Sequence, residues 1–394
     1  MSVLAEPSAP LSHLAAHDAG EAHSGRLPLW AWLARQGEQA LRRSDLRPEQ
    51  RRALHAIQRC RTPASGGHSY RCTHCGGQHH GFHSCHNRAC PRCGGEKTAA
   101  WTRKQTERLL PVPYFFVTCT VPQQLHDAFA AQPQLLHDLL FTHAAAALQT
   151  VAVLPRHLGA ELGMLGVLHT CGRQLQRHPH IHFIVPGGGL RADHRKWRKT
   201  RRPDYLLPND AVAAALRRGF EAALRAAAPD LHAQIPESAW FEGWWVHIQA
   251  AGTGEAVVAY LARYVQHTAI SDERILHADD QSVRFSYTDS RTGAHRECEL
   301  TADEFLRRYL QHIVPTGQHR VRYFGWLHPA AKRRRMLVEN LLAKPIVVRE
   351  KADTPPRWHL RCPHCELFTL VVVGKLHPVL PHGRMPARAP PRPP

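Results

Sequence analysis

Three histidines at alternate positions, His178, His180 and His182, stand in a run that continues Phe183-Ile184-Val185. Alternation of this kind reads as a β-strand, whose side chains point to opposite faces in turn. One face then carries the imidazoles, and the other carries Ile181, Phe183 and Val185 for packing. Two imidazoles fixed two residues apart on a rigid strand make a ready pair of ligands for a divalent cation. His180 and His182 are that pair, with His178 outlying. Ligation that leaves positions open to water and phosphate oxygen suits Mg²⁺ or Mn²⁺ acting as a Lewis acid.

Further along, the stretch from Gly254 to His267 reads as a helix with Tyr260 and Tyr264 one turn apart on the same face. Amphipathic packing alone produces such spacing, but beside a cation site the pair acquires a chemical meaning. A phenol is a poor nucleophile at neutral pH, with a pKa near ~10, and needs cations around it. It is also a good leaving group, so a phosphotyrosine link is reversible. The types and spacing therefore point to cleavage and rejoining of a phosphodiester. Arg263, Gln266 and His267 are candidates for a third metal ligand or a phosphate clamp.

Of eleven cysteines, six lie between Cys60 and Cys93. Cys72-x₂-Cys75 and Cys90-x₂-Cys93 have the spacing of a four-thiolate zinc ribbon, a closed site that folds a segment with little core of its own. Such zinc is structural. Cys60 and Cys85, with His68 and His86 near them, form a second candidate zinc set. Near the C-terminus Cys362-x₂-Cys365, with His359 and His364, is half a site by itself: a second knuckle, a vestige or a pair of surface thiols. Metal-ligand spacing rather than a disulfide pattern indicates a reducing compartment.

Lys and Arg number 51 against 32 Asp and Glu, a formal charge of +19. Codon bias towards Arg accounts for part of this, and a polyanionic partner, DNA, for the rest. No basic leader and no run of eighteen apolar residues occurs, so the expectation is a cytoplasmic, nucleoid-associated bacterial protein without a membrane partner. Along the chain, 1–28 reads as disordered and 29–100 as a basic helical arm plus zinc-binding domain. A core follows over 105–275, then a C-terminal α+β extension over 276–345. The tail over 346–394 holds Cys-x₂-Cys and a Pro/Arg-rich end. Within the core, strands over Tyr114–Val121, Gly163–Cys171, the histidine run and 243–250 mix with helices over 125–153 and 209–227. That pattern predicts an α+β fold, a largely antiparallel sheet with packed helices.

Taken together the motifs resemble the HUH endonuclease superfamily and, more narrowly, the two-tyrosine transposases of the insertion-sequence-91 family. The resemblance is carried by the block from Cys60 to Cys93, by His178-Pro-His-Ile-His182 and by Tyr260-Leu-Ala-Arg-Tyr264. It continues through Arg284-Phe-Ser-Tyr287, Glu304-Phe-Leu-Arg-Arg308 and Tyr323-x-Gly325, in the family's order, over roughly residues 30 to 345. It implies an HUH-type nuclease core behind a zinc-binding domain, and rolling-circle transposition through single-stranded DNA. His180 and His182 match the metal histidines, and Tyr260 and Tyr264 the paired nucleophiles that form 5′-phosphotyrosine links with insertion-sequence ends and target. Val265-Gln266-His267 departs from the family, whose members often carry Thr-His-Arg there, and this leaves the third ligand open. No Gly-x₄-Gly-Lys-Ser/Thr occurs, so unwinding falls to a host helicase. The alternatives are a plasmid or phage rolling-circle replication initiator or relaxase, and a non-catalytic zinc DNA-binding regulator.

Overall fold

Two amphipathic helices, α1 (Leu29–Ala40) and α2 (Pro48–Arg59), open the part of the chain that this computed structural model describes, residues 27–266, 269–289, 292–344 and 361–379. Leu29, Trp32 and Leu33 of the first and Ala53, Leu54 and Ile57 of the second are buried at helical spacing. Pro48 starts α2, where its missing N–H costs nothing. A hairpin follows, β1 (Gly67–Cys72) with β2 (Gln78–Phe82), in register from Gly67↔Phe82 at its open end to Arg71↔Gln78 near its turn.

The larger unit falls within Gly95–Ile346. It runs α3 (Gly95–Thr106), β3 (Tyr114–Thr120), α4 (His126–Ala131), α5 (Pro133–Ala152), β4 (Gly163–Cys171) and β5 (Arg177–Pro186). A small hairpin of β6 (Gly188–Leu190) and β7 (Trp197–Lys199) leads to α6 (Asn209–Ala227), α7 (Pro229–Ala233), β8 (Trp245–Ala250) and α8 (Glu255–Gln266). Then come β9 (Ile275–Ala278), β10 (Ser282–Thr288), β11 (His295–Thr301), α9 (Ala302–Gln311), β12 (Val321–Gly325) and α10 (Lys332–Leu341). Pro133 divides the single helix expected over 125–153 into α4 and α5, since it cannot donate to the preceding turn. The capping signal at α9 holds, with the Thr301 hydroxyl accepting from the Glu304 N–H at 3.3 Å.

The central sheet has the order β12-β4-β5-β3-β8, antiparallel throughout. Its two faces are sorted by the alternation of side chains. Phe115, Val117, Ile181, Phe183 and Val185 pack with Leu140, Phe141, Leu148 and Phe220 of α5 and α6. Phe116, Val167 and Ile184 pack on the other face with Val257, Val258 and Leu261 of α8. The histidines of β5 share this second face, so the sheet turns them towards the tyrosine helix. The fold is α+β with antiparallel sheets and packed helices, as expected.

Two segments connect differently from a simple linear order. β12, drawn from the expected C-terminal extension, supplies an edge strand to the core sheet. The last strand among the described residues, β13 (Leu370–Leu376), pairs antiparallel with β1 and makes a three-stranded sheet β13-β1-β2. The smaller unit therefore joins Pro28–Gly94 to the chain after Val347. Residues 1–26, His267, His359 and the Pro/Arg-rich end lie outside the described residues, as does the side chain of Gln266.

Candidate functional site

The tyrosine helix is launched by Gly254, whose φ is +84°. A Cβ there would stand 2.8 Å from Cγ of Tyr114, a buried ring whose hydroxyl accepts from the Leu110 N–H at 2.8 Å. Only glycine meets both demands. From this start α8 crosses the sheet and carries Tyr260 and Tyr264 over its histidine face. The two phenol rings are 5.1 Å apart, centroid to centroid. Tyr264 lies 4.0 Å from the His169 ring, and Tyr260 lies 5.9 Å from that of His182. Phe116 stacks on His182 at 4.6 Å and meets Tyr260 edge-on, which holds both in place.

His180 and His182 turn their Nε2 atoms towards each other at 3.1 Å. A third imidazole comes from the neighbouring strand and not from the helix: His169 of β4 sits opposite His180 in the β4–β5 register. One ring nitrogen from each of the three lies within 4.8 Å of the others. Burial, the largest influence in each case, lowers the three imidazole pKa values, that of His182 to about 3. Neutral rings keep a lone pair each. The Nδ1–H of His180 donates to the His178 carbonyl at 2.7 Å, which leaves the Nε2 lone pair facing the cluster. Thr118 Oγ1 holds Nδ1 of His182 at 2.9 Å in the same manner.

Three observations suit a cation among these nitrogens. His169 Nε2 is buried with no hydrogen-bond partner. All three donors are neutral imidazoles on a rigid sheet. Two nitrogens each about 2.1 Å from one ion stand about 3.0 Å apart at a right angle and about 3.4 Å at a tetrahedral one, which brackets the 3.1 Å spacing. Among the outlying candidates, His178 stands outside the three-nitrogen group and Arg263 is exposed.

Arginines that the sequence reading passed over flank the phenols. Arg274 donates to the carbonyl oxygens of Ser286 and Arg173, at 2.8 and 2.7 Å, and Arg173 to that of Thr288. Arg320, buried, donates to the His312 carbonyl at 3.0 Å and to that of Tyr264 at 3.5 Å. Burial raises the pKa of both phenols, and Tyr264 lies in the field of Arg274 and Arg263 while Tyr260 lies in that of Arg173. A hydrogen bond between the phenols eases the ionisation of Tyr264 and opposes that of Tyr260.

The cysteines are paired differently from the expected set. Cys90 and Cys93 gather with Cys60 and Cys85, whereas Cys72 and Cys75 gather with Cys362 and Cys365. The hairpin explains this. Cys72 and Cys75 ride at its turn, while Cys60 and Cys85 flank its open end, and six strand residues span roughly 17–20 Å. No single ion reaches across that length. In the first group Cys93 Sγ is 3.4 Å from Cys60 Sγ and 3.6 Å from Cys85 Sγ. His68 and His86 belong to neither group: His68 lies in β1 with its ring against His83, and His86 lies in the irregular segment after β2 with φ +52°. Arg92 lies 4.0 Å over the Trp30 ring and donates to the Cys60 carbonyl, fixing α1 beside this cluster.

Two family profiles match the chain. One, described as "Putative transposase", covers residues 163–335 and so holds the histidines and both tyrosines. The other, "Transposase zinc-binding domain", covers residues 32–121. A protein of Sinorhizobium fredii named "Putative transposase y4qJ" is 33% identical over 360 residues, 84% of this chain and 90% of that protein. The transposase for insertion sequence element IS801 of Pseudomonas savastanoi pv. phaseolicola is 33% identical over 267 residues, 62% of this chain and 61% of that protein. No solved structure matches the chain. No described helix is long and apolar enough to cross a membrane. The sum of these matches, with a zinc-binding domain ahead of the transposase region, makes the chain a member of the insertion-sequence-91 family of transposases.

Proposed function

We propose that this transposase cuts and rejoins single-stranded DNA through covalent links to Tyr260 and Tyr264, in a rolling-circle reaction on insertion-sequence ends and target. One observation carries the reading: two phenols one helical turn apart lie against three buried, neutral imidazoles whose nitrogens converge. His169, His180 and His182 would hold a divalent cation, which when bound would supply Lewis-acid polarisation of the scissile phosphate. Arg173 and Arg274 stand beside the phenols, where positive charge favours both the phenolate and the crowded phosphate of the transition state.

In the forward step the phenolic oxygen attacks phosphorus and the bond to the 3′ oxygen breaks. The phenol proton passes to solvent and the departing oxygen takes one up, which leaves a 3′-hydroxyl and a 5′-phosphate on tyrosine. In the reverse step a 3′-hydroxyl attacks that phosphate and the phenol leaves. Two tyrosines in one site let one hold a strand while the other cuts the next. The hydrogen bond between them and the nearby arginines favour Tyr264 as the first to ionise. The high net positive charge serves the DNA backbone, and strand opening falls to a separate host helicase.

The test mixes purified protein and Mn²⁺ with end-labelled single strands drawn from both flanks of the gene. A labelled band that survives a denaturing SDS gel reports the covalent adduct. We expect it in the wild type, weakened in Tyr260→Phe and in Tyr264→Phe, and absent in the double variant and with EDTA. An adduct that persists in the double variant overturns the assignment.

A further inference from the structure

Cys72, Cys75, Cys362 and Cys365 bring one thiol each to a common centre, with Cys72 and Cys365 293 positions apart in the sequence. We infer that they hold a second structural zinc, distinct from the one suited to Cys60, Cys85, Cys90 and Cys93, and that this ion ties the C-terminal strand into the N-terminal zinc-binding unit. The donor set is four thiolates, which selects Zn²⁺ and closes the site to catalysis.

The geometry is that of a tetrahedral tetrathiolate. Four sulfurs about 2.3 Å from one ion stand about 3.8 Å apart. Here Cys72 Sγ is 3.6 Å from Cys365 Sγ and Cys75 Sγ is 3.7 Å from Cys362 Sγ, with all four within 4.8 Å. These separations are far beyond a disulfide, whose S–S length is about 2.05 Å.

The second observation is that the two Cys-x-His-Cys turns repeat each other bond for bond. The Cys72 N–H donates to the Gly77 carbonyl and the Cys362 N–H to the Leu367 carbonyl, each five residues on. The Gly76 N–H donates to the Cys72 carbonyl and the Glu366 N–H to the Cys362 carbonyl, each from four residues on. The residue after each pair has a left-handed backbone, φ +73° at Gly76 and +59° at Glu366. A non-glycine residue held at Glu366 in that conformation costs about 1 kcal/mol or more, so the second turn is shaped by what it holds. Thr73 N–H to Thr369 carbonyl joins the two turns, and the Thr369 hydroxyl meets Cys72 Sγ at 3.0 Å. His79 Nε2 stands 3.5 Å from Cys362 Sγ, placed to donate to a metal-bound thiolate.

What the turns hold together has almost no other support. Among the described residues, the buried apolar cluster here consists of Cys72, Cys362 and Leu370, with Tyr70 and Cys365 against it. Most of β13 faces solvent, with Val371, Val372 and Val373 exposed. A strand of this kind stays in register with β1 through its ladder and through the ion beside its first residue.

Zinc content of the purified full chain tests the inference. We expect two equivalents in the wild type. One should remain in Cys362→Ser/Cys365→Ser, one in Cys72→Ser/Cys75→Ser, and one in the variant carrying all four changes, because the four share a single ion. Two equivalents retained in the Cys362→Ser/Cys365→Ser variant, or one in the wild type, overturn it. Misfolded variants are bypassed by mapping thiol alkylation on the wild type during stepwise chelation. Cys362 and Cys365 should become reactive together with Cys72 and Cys75. Alkylation of Cys362 and Cys365 at the outset, with Cys72 and Cys75 still protected, also overturns it.

Discussion

The histidine cluster and the two cysteine clusters are built in opposite ways. His169, His180 and His182 stand on a five-stranded sheet that is packed on both faces before any ion is considered. The cysteines stand in turns, and the sheet they serve is a three-stranded one with three buried apolar residues at its second cluster. The imidazoles are placed by packing alone, whereas the cysteine turns have little apolar packing of their own and suit a unit that folds around metal. On that contrast, removing a single histidine should cost function, whereas removing a cysteine should cost structure.

Metal removal should separate the two regions most sharply. Stripping zinc with a thiolate-competing chelator is expected to unfold the cysteine-rich unit, seen as rapid limited proteolysis within residues 28–94 and 361–379. The larger unit should keep its melting temperature within about 2 °C, on the order of 0.5–1 kcal/mol for a unit of this size. A cysteine-rich unit that resists protease without zinc would break the contrast, since its own packing would then suffice.

The next largest effect is expected from His169→Ala. If His169 is one of three ligands, its loss should raise the Mn²⁺ concentration needed for adduct formation by at least about tenfold, with activity partly restored at saturating metal. If His169 serves only as packing beneath Tyr264, the metal midpoint will not move and the maximal rate alone will fall.

His169 also shows where sequence reading stops. The strand over Gly163–Cys171 is legible, and so is the alternation that turns His180 and His182 to one face. A single histidine on a separate strand carries no such signal in a chain with 31 of them. It joins the imidazole cluster only when β4 and β5 pair with His169 opposite His180, a register set by two whole strands. The cysteines repeat the lesson at longer range. Local spacing identifies each Cys-x₂-Cys as half a site. Which halves combine depends on the hairpin length and on β13 returning to β1, neither of which spacing encodes. Arg173 and Arg274 are legible only as charge until the turns that hold them are folded.

A smaller effect, on stability and geometry together, is expected from Gly254→Ala. The added methyl meets the buried Tyr114 ring, and the positive φ is strained for any L side chain. The cost should be about 1–3 kcal/mol, read as a melting temperature lowered by about 2–4 °C per kcal/mol. Because the same residue sets the start of α8, adduct yield should fall further than the loss of folded protein explains. Equal losses in both would show that the helix finds its position without this turn.

The smallest change proposed is Thr118→Val, which keeps the side-chain shape and removes one hydroxyl. Thr118 lies opposite His182 in the β3–β5 register, and its Oγ1 is 2.9 Å from His182 Nδ1. If that contact orients the ring so that Nε2 faces the other two imidazoles, its loss should weaken cation affinity by about tenfold. Fold stability should fall by about 1 kcal/mol, the lower end of the cost of leaving a buried polar group such as Nδ1 without its partner. Thr118→Ser retains the hydroxyl and should restore the affinity. A histidine that merely fills the sheet would give the opposite pattern: Thr118→Val would leave metal dependence unchanged, and Thr118→Ser would be the more damaging substitution through its lost methyl. The sign of that difference decides whether the hydroxyl belongs to the site or to the packing of the strand beneath it.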